Sequence, residues 1–477
     1  MKVVSVIACL LLSLVARDAI GQTFSDNEVF ELPTASPWLG KADHVVSAIN
    51  DRGDIFVTWS ASVFQIGHPY AEMRRVEGAF LRRTNDFRWK LYPTVTLGET
   101  QPSLMPGGVP IFANGDNCRK PDVVATGNDF IVAWQRLEIG NSPNGYLECA
   151  RIQVSDIGEP VVNLAHPAGI GFLLDDQVDL RHAGGMVDLA YDHSGHGNQV
   201  VAVYASRIAA QPTKSGNVYD FELRAVPFGF QGNQTAPQIK HVQVLVDDVA
   251  LDDFIRGDPR GGRVLPDAVF DQFGKLVVAY EDFRLAVRTG TADQGHISLR
   301  RFEVKRNGTF TELNNQSLVG TNPQLAMRRP NLMRSGDSQV IDLAFGERII
   351  PGQATDVFHY TVQYPDAVSD AVLTDLQSTM TAGIDEDLPV PVQLPYFRAI
   401  VICADPPQGK RRVSRQAPGQ TDWTDFSEFA GLNPWRPAMA VLADDPNRPG
   451  KSLAVLTVEG REEWMPYSRI YCEIITP

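Results

Sequence analysis

Positive charge is scarce in this chain. Its 43 Lys and Arg face 57 Asp and Glu, for a net charge of −14 and an isoelectric point near 5.1. So acidic a protein lacks the footprint of a phosphate-backbone binder and has no reason to sit on an anionic membrane surface. Long apolar runs are scarce too: past the N-terminus none reaches the ~20 residues that a bilayer-spanning helix needs. The chain has only five cysteines and no C-x-x-C pair, which argues against a metal knuckle. A Walker loop, a Rossmann fingerprint, a G-x-S-x-G elbow and an H-E-x-x-H pair are all absent. Their absence removes the common nucleotide, α/β-hydrolase and zinc-protease chemistries.

The first residues read as a leader. Lys2 supplies the positive region, Val3 to Ala16 is mostly apolar, and Ala19 and Gly21 precede Gln22 as a cleavage site. "VIAC", Val6 to Cys9, loosely resembles a lipoprotein box, but further apolar residues follow it. The division expected is a signal peptide at 1–21 and one domain at 22–477, placed outside the cell, in the periplasm or in the envelope. Export gives the cysteines a meaning. Cys118, Cys149, Cys403 and Cys472 remain, an even number in an oxidising compartment. Of three pairings we expect Cys118–Cys149 and Cys403–Cys472, which keep each bridge inside one repeat unit.

Glycine (39) and proline (32) are plentiful, favouring many turns and short strands. Between them one grammar recurs: a short apolar strand, a polar turn, then a second strand. It is written in "ADHVVSAINDRGDIFVTWSAS", "KPDVVATGNDFIVAWQRLE", "MVDLAYDHSGHGNQVVAVYASR", "LPDAVFDQFGKLVVAYEDFR", "RPNLMRSGDSQVIDLAFGER" and "RPAMAVLADDPNRPGKSLAVLTVEGR". Second strands carry Trp59, Trp134, Tyr204, Tyr280 and Phe345, and Thr457 stands in the last. The alternation and β-branched content are strand-like. Third strands follow in "GYLECARIQV", "NVYDFELRAV", "HISLRRFEV" and "SRIYCEIITP". Four antiparallel strands repeated six times make an all-β propeller, because one such sheet buries both faces only by stacking radially on others. A seventh blade has room in 346–435, where "PYFRAIVICADP" would be its strand. Two stacked β-sandwiches are the alternative, but they would not need the same hairpin six times.

These hairpins resemble the P-x-V-A-x-x-x-x-G-x-F-V-V-x-W repeats of secreted bacterial propellers, and the architecture is similar to the sialidase-like superfamily. The resemblance covers nearly all of 40–477. Of that superfamily's Asp-boxes, "NDRGDIFVTW" and "FDQFGKLVVAY" keep only the Asp–Gly turn and an aromatic.

In a propeller the ends of the second strands meet the starts of the innermost strands around the channel mouth. Arg136, Arg284, Arg329, Arg348, Arg436 and Arg461 fall there, suited to planar contact with carboxylates. Glu281, Asp282 and Glu347 fall there too, as acid/base candidates. The superfamily resemblance makes Tyr280 beside Glu281 similar to a Tyr–Glu nucleophile pair. Against these readings, such residues are often seams between blades, and Tyr280 occupies the repeat's packing position. Asp247, Asp248, Asp252 and Asp253 form an acidic loop that suits Ca²⁺ without matching EF-hand spacing, and Asp192, His193 and His196 form a second metal candidate at a turn. No cofactor is otherwise expected. Asn233, Asn307 and Asn315 head glycosylation sequons. The reading is a monomeric propeller that binds a glycan or an extracellular protein at its mouth. A sialidase-like glycoside hydrolase and a structural envelope or matrix protein are the alternatives.

Overall fold

A computed structural model describes residues 22–33, 42–63, 73–99, 103–104, 110–111, 117–137, 145–166, 169–178, 187–193, 199–213, 216–232, 234–252, 265–282, 296–318, 326–334, 339–348, 355–379, 385–394, 397–405, 412–416, 424–425, 434–461 and 468–476. The leader expected at 1–21 lies outside them. No helix among the described residues is long and apolar enough to cross a membrane.

Among the described residues the chain forms seven antiparallel sheets of four to six strands, with one further two-stranded pairing of Ser103–Leu104 and Pro110–Ile111. Their innermost strands are Ala42–Ile49, Asn117–Thr126, Val187–Tyr191, Asp267–Phe270, Ala326–Met333, Asp385–Leu394 and Pro434–Leu442. Each contacts the next, and the last contacts the first, so the ring closes around a central channel. The count is seven where six were expected first, and the added blade falls in 346–435, where the sequence left room for it. The added blade is the sixth, built from Asp385–Leu394, Phe397–Asp405, Arg412–Gln416 and Thr424–Asp425. Its grammar was hidden for physical reasons: its inner strand carries Pro389 and Pro391, and its outer strands are very short.

Cross-strand register aligns the blades residue by residue. Trp59, Trp134, Tyr204, Tyr280 and Phe345 occupy one column, all at most 1% exposed. The same register puts Ile402 and Val458 in that column, not Thr457. The column packs between blades. Tyr280, for example, joins a cluster with Val203, Leu223 and Leu276 across blades three and four. This burial of both sheet faces is what the radial arrangement supplies.

The ring is closed by the N-terminus. Val29–Glu31 pairs with Ser468–Ile475 as the outer strand of blade seven, and Thr23–Phe24 pairs with Trp89–Leu91 of blade one. At the opposite end from the mouth, an Asp entering or opening the second strand is held by an Arg of the third. The pairs are Asp54–Arg82, Asp129–Arg151 and Asp271–Arg301.

The expected disulfides do not form among the described residues. Cys118, Cys149 and Cys472 are buried and carry no disulfide among the described residues. Cys118 and Cys149 sit on strands separated by Asp129–Leu137, so two strand spacings, about 10 Å, divide them, beyond a disulfide's Cα reach of roughly 4.4–6.8 Å. They also serve different cores, one shared with blade one and one with blade three. Cys472 packs toward blade one, and the side chain of Cys403 lies outside the described residues. Burial pushes the Cys149 and Cys472 thiols up, keeping them protonated and inert. Excess reductant is therefore expected to leave the melting temperature unchanged, whereas a fall of several degrees would reveal a bridge.

Candidate functional site

Five innermost strands share an irregularity where they enter the ring. His44, Lys120, Arg329, Leu388 and Arg436 all adopt positive φ, between 48° and 55°. Each lies at a break in register with the second strand. In four of the five the next residue is proline. A left-handed conformation is costly for such side chains and persists only where neighbours hold it. The residue after the aromatic column does the holding. Ser60 Oγ accepts the Lys120 amide at 2.8 Å, Glu281 Oε1 the Arg329 amide at 2.6 Å, and Glu459 Oε1 the His44 amide at 2.6 Å. Each bond crosses from one blade to the next.

The bulges turn His44, Arg329 and Arg436 toward the channel, where they line a cavity of about 350 Å³. Arg436 Nη1 lies 2.8 Å from His44 Nε2, and His44 Nδ1 lies 2.8 Å from Asp43 Oδ1. A guanidinium can only donate, so Nε2 accepts and the ring proton sits on Nδ1, donated to Asp43. Burial, then the Arg436 charge, push His44 down to about 3, so the ring is neutral. Burial opposes ionisation of Asp43, but His44, Arg74 and Arg436 outweigh it and hold the carboxyl well below its usual range. Arg74 Nη1 donates to both Asp43 oxygens at 2.7 and 2.8 Å.

Deeper in the channel lie three carboxyls that motif reading passed over. Asp122, Asp188 and Asp267 occupy equivalent positions in blades two, three and four, with Asn331 next in blade five. Their signal was visible in the repeat itself, as "KPDV", "MVDL", "LPDA" and "RPNL". Each Asp caps the exposed edge of the following blade. Asp122 accepts from the Leu189 amide at 2.6 Å, Asp188 from Ala268 at 2.6 Å, and Asp267 from Leu332 at 3.1 Å. Water reaches the side chains only along the channel, so burial dominates. It pushes Asp122 up to about 7 and Asp267 up to about 8. Asp188, between them, is pushed up by burial and then by the charges of Asp267 and Asp122.

The other sequence candidates are scattered. Glu281 and Asp282 are 3% and 7% exposed, and Tyr280 is fully buried with its hydroxyl 3.1 Å from Arg300 Nε. Arg136 is buried against Glu148, at 2.6 Å, away from the cavity lining. Glu347, Arg348 and Arg461 end second strands, but their side chains lie outside the described residues, as does all of Arg284. Asp247 is exposed on Gln243–Asp252, which pairs with Gly216–Gly229 at the outer edge of blade three. The side chains of Asp248 and Asp252, and all of Asp253, are outside the described residues, as is His196. Among the described residues no group of three or more His, Cys, Asp or Glu is arranged to hold a metal ion.

No protein-family model and no curated relative matches the chain. Solved structures similar to it include the polysaccharide lyase Uly1, at 11% identity and a TM-score of 0.43, covering 96% of this chain and 97% of that one. An α-L-arabinofuranosidase from Fusarium graminearum is similar at 10% identity and a TM-score of 0.38, covering 95% and 98%. A Trypanosoma rangeli sialidase is similar at 9% identity and a TM-score of 0.36, and this chain spans 58% of its length. Likeness this remote says nothing of what the protein binds. The propeller stands on its own sheet order and register.

Proposed function

We propose that the protein is a binding propeller whose channel mouth takes an acidic extracellular ligand, an acidic glycan in the first instance. One observation carries the reading. The described rim carboxylates, Glu281 and Glu459, are buried and engaged by backbone amides of the next blade, while Arg329 and Arg436 stand half-buried on the cavity lining. Arg436 also comes within 3.8 Å of Glu459, so the mouth turns guanidinium groups to the cavity with their counter-charges buried behind them, and guanidinium groups pair well with carboxylates. Hydrolysis would instead need a mobile acid and base. Carboxylates that brace a strained backbone, and a Tyr280 sealed in the core, favour binding over that chemistry. The exported location expected from residues 1–21 accords with such a partner.

Arg329→Gln and Arg436→Gln are each expected to weaken the binding of tri-galacturonate by about tenfold to a hundredfold, the worth of one charge-assisted contact. Calorimetric titration measures it. Unchanged affinity in both variants, or steady release of reducing ends by the wild type, would overturn the proposal.

A further inference from the structure

Arg436 is held at one corner only. Its Nη1 lies 2.8 Å from His44 Nε2 and 3.8 Å from Glu459 Oε1, the second too long for a hydrogen bond. Nε and Nη2 have no partner among the described residues, and the side chain is 25% exposed on the cavity lining. Those two atoms form one of the edges that a guanidinium offers to a planar anion. The belt of Asp122, Asp188 and Asp267 runs along another arc of the channel, on blades two to four. The carboxylate beside Arg436 Nη1 is therefore Glu459, and the arginine stops short of it.

A chain of side chains behind Arg436 accounts for that gap. Arg74, on Met73–Arg83, grips Asp43 with two bonds of 2.7 and 2.8 Å. Asp43 Oδ1 accepts from His44 Nδ1. That bond fixes which ring nitrogen carries the proton and leaves the lone pair of Nε2 for Arg436. The two side chains, His44 and Asp43, are 8% and 7% exposed, so little water competes for these bonds. The position requires a neutral ring, because an imidazolium has no lone pair to offer and repels a guanidinium. Burial, and then the charges of Arg436 and Lys120, keep the ring neutral against the pull of Asp43. His44 also occupies Glu459 Oε1 with its own amide, at 2.6 Å. One residue thus stands between the arginine and the glutamate twice, through its ring and through its backbone. Without the ring, Nη1 closes from 3.8 Å to the ~2.8 Å of an ion-paired hydrogen bond, and the guanidinium is spent inside the protein.

We infer that His44 is a positioning residue: the Arg74–Asp43–His44 chain holds Arg436 away from Glu459, so that its remaining donors stay available to an incoming anion. The service to a ligand rests on the acidic-ligand reading, whereas the hold on Arg436 does not. Two variants separate this role from packing. His44→Asn keeps a donor near Nδ1 for Asp43 and suits a positive φ, but its amide stops short of Arg436. His44→Gln sets a carbonyl near the place of Nε2 and restores the acceptor. In calorimetric titration with tri-galacturonate, His44→Asn is expected to weaken binding about fivefold and His44→Gln to stay within about twofold of the wild type, both at the wild-type melting temperature. Added to Arg436→Gln, His44→Asn is expected to change nothing further, because the two act through one contact. Wild-type affinity in His44→Asn, equal weakening in His44→Gln, or full additivity with Arg436→Gln overturns the inference; the acidic-ligand reading stands if Arg436→Gln alone is weakened. Histidine NMR of the free protein needs neither a ligand nor a histidine variant. His44 is expected to show the neutral Nδ1–H tautomer from about pH 8 to about pH 5, and to titrate at higher pH in Arg436→Gln, which removes the neighbouring charge. A ring that titrates near the ordinary ~6.5 in the wild type, or that ignores Arg436→Gln, overturns the inference. If the wild type does not bind tri-galacturonate, the acidic-ligand reading falls, and the NMR result alone decides whether His44 holds Arg436.

Discussion

Asp188→Asn raises stability near pH 8 and has little effect near pH 4. The sign follows from the raised carboxyls of the channel. In the unfolded chain an Asp releases its proton near its ordinary value of 3.8, whereas Asp122 holds it to about 7 and Asp267 to about 8. Between those limits the native state binds more protons than the unfolded state, so stability falls as pH rises through that window. Below it the arc's contribution is fully present. Asp188 has the strongest coupling, because ionised Asp122 and Asp267 both repel its charge. Asparagine keeps a carbonyl to accept the Ala268 amide and cannot ionise, and blade five already places Asn331 at this position. We expect a gain on the order of 2 kcal/mol near pH 8, read from melting curves across the pH range. A wild-type melting temperature that climbs steadily from pH 5 to 8, or an Asn variant that is less stable near pH 8, would contradict this reading of the arc.

Removing residues 22–33 is expected to unfold the protein or to lower its melting temperature by more than ten degrees. This short stretch joins the two ends of the ring. Phe24, Phe30 and Leu32 are 8%, 5% and 0% exposed, and the two phenyl rings stack at 3.9 Å. They enter the core shared by blades seven and one. The amides of Asn27 and Leu32 donate to Ile474 and Ile470 at 2.7 and 2.9 Å. Asp26 ties the two blades together, accepting from Trp89 Nε1 at 2.8 Å and pairing with Arg448 at 2.6 Å. Burial of the three apolar side chains alone contributes roughly 5–9 kcal/mol, comparable with the whole net stability of a typical domain. A truncated protein that melts with the full chain would show that the ring closes without its N-terminal strand.

Much of this fold was legible in the sequence, because a propeller writes its repeat in every blade. The hairpin with Trp134 at the end of its second strand gave the blade, and the register confirms the column it starts. Three features were not fully legible. Val29–Glu31 pairs with residues more than 400 positions away, and a three-residue strand has no period to read. Blade six was legible only in its second strand, Phe397–Asp405 within "PYFRAIVICADP", because it replaces the aromatic with Ile402 and interrupts its inner strand with Pro389 and Pro391. Cys118 and Cys149 looked paired because one repeat contains both, but membership of one sheet does not make two strands neighbours. At the site, topology could put Arg329 and Arg436 at the mouth, but not tell them from Arg136, which is buried against Glu148. The part played by Glu281 could not be read either, because its partner is a backbone amide exposed by a bulge in the next blade. The aspartate belt was printed in the repeat but looked like ordinary strand alternation until the register put three of its members in one arc.

The most direct test of the account is calorimetric titration of the wild-type protein with tri-galacturonate at low and at high salt. The account predicts saturable binding of one ligand per protein, weakening as salt screens the Arg329 and Arg436 rim. No binding even at low salt, or binding indifferent to salt, would contradict a mouth whose arginines receive an acidic ligand.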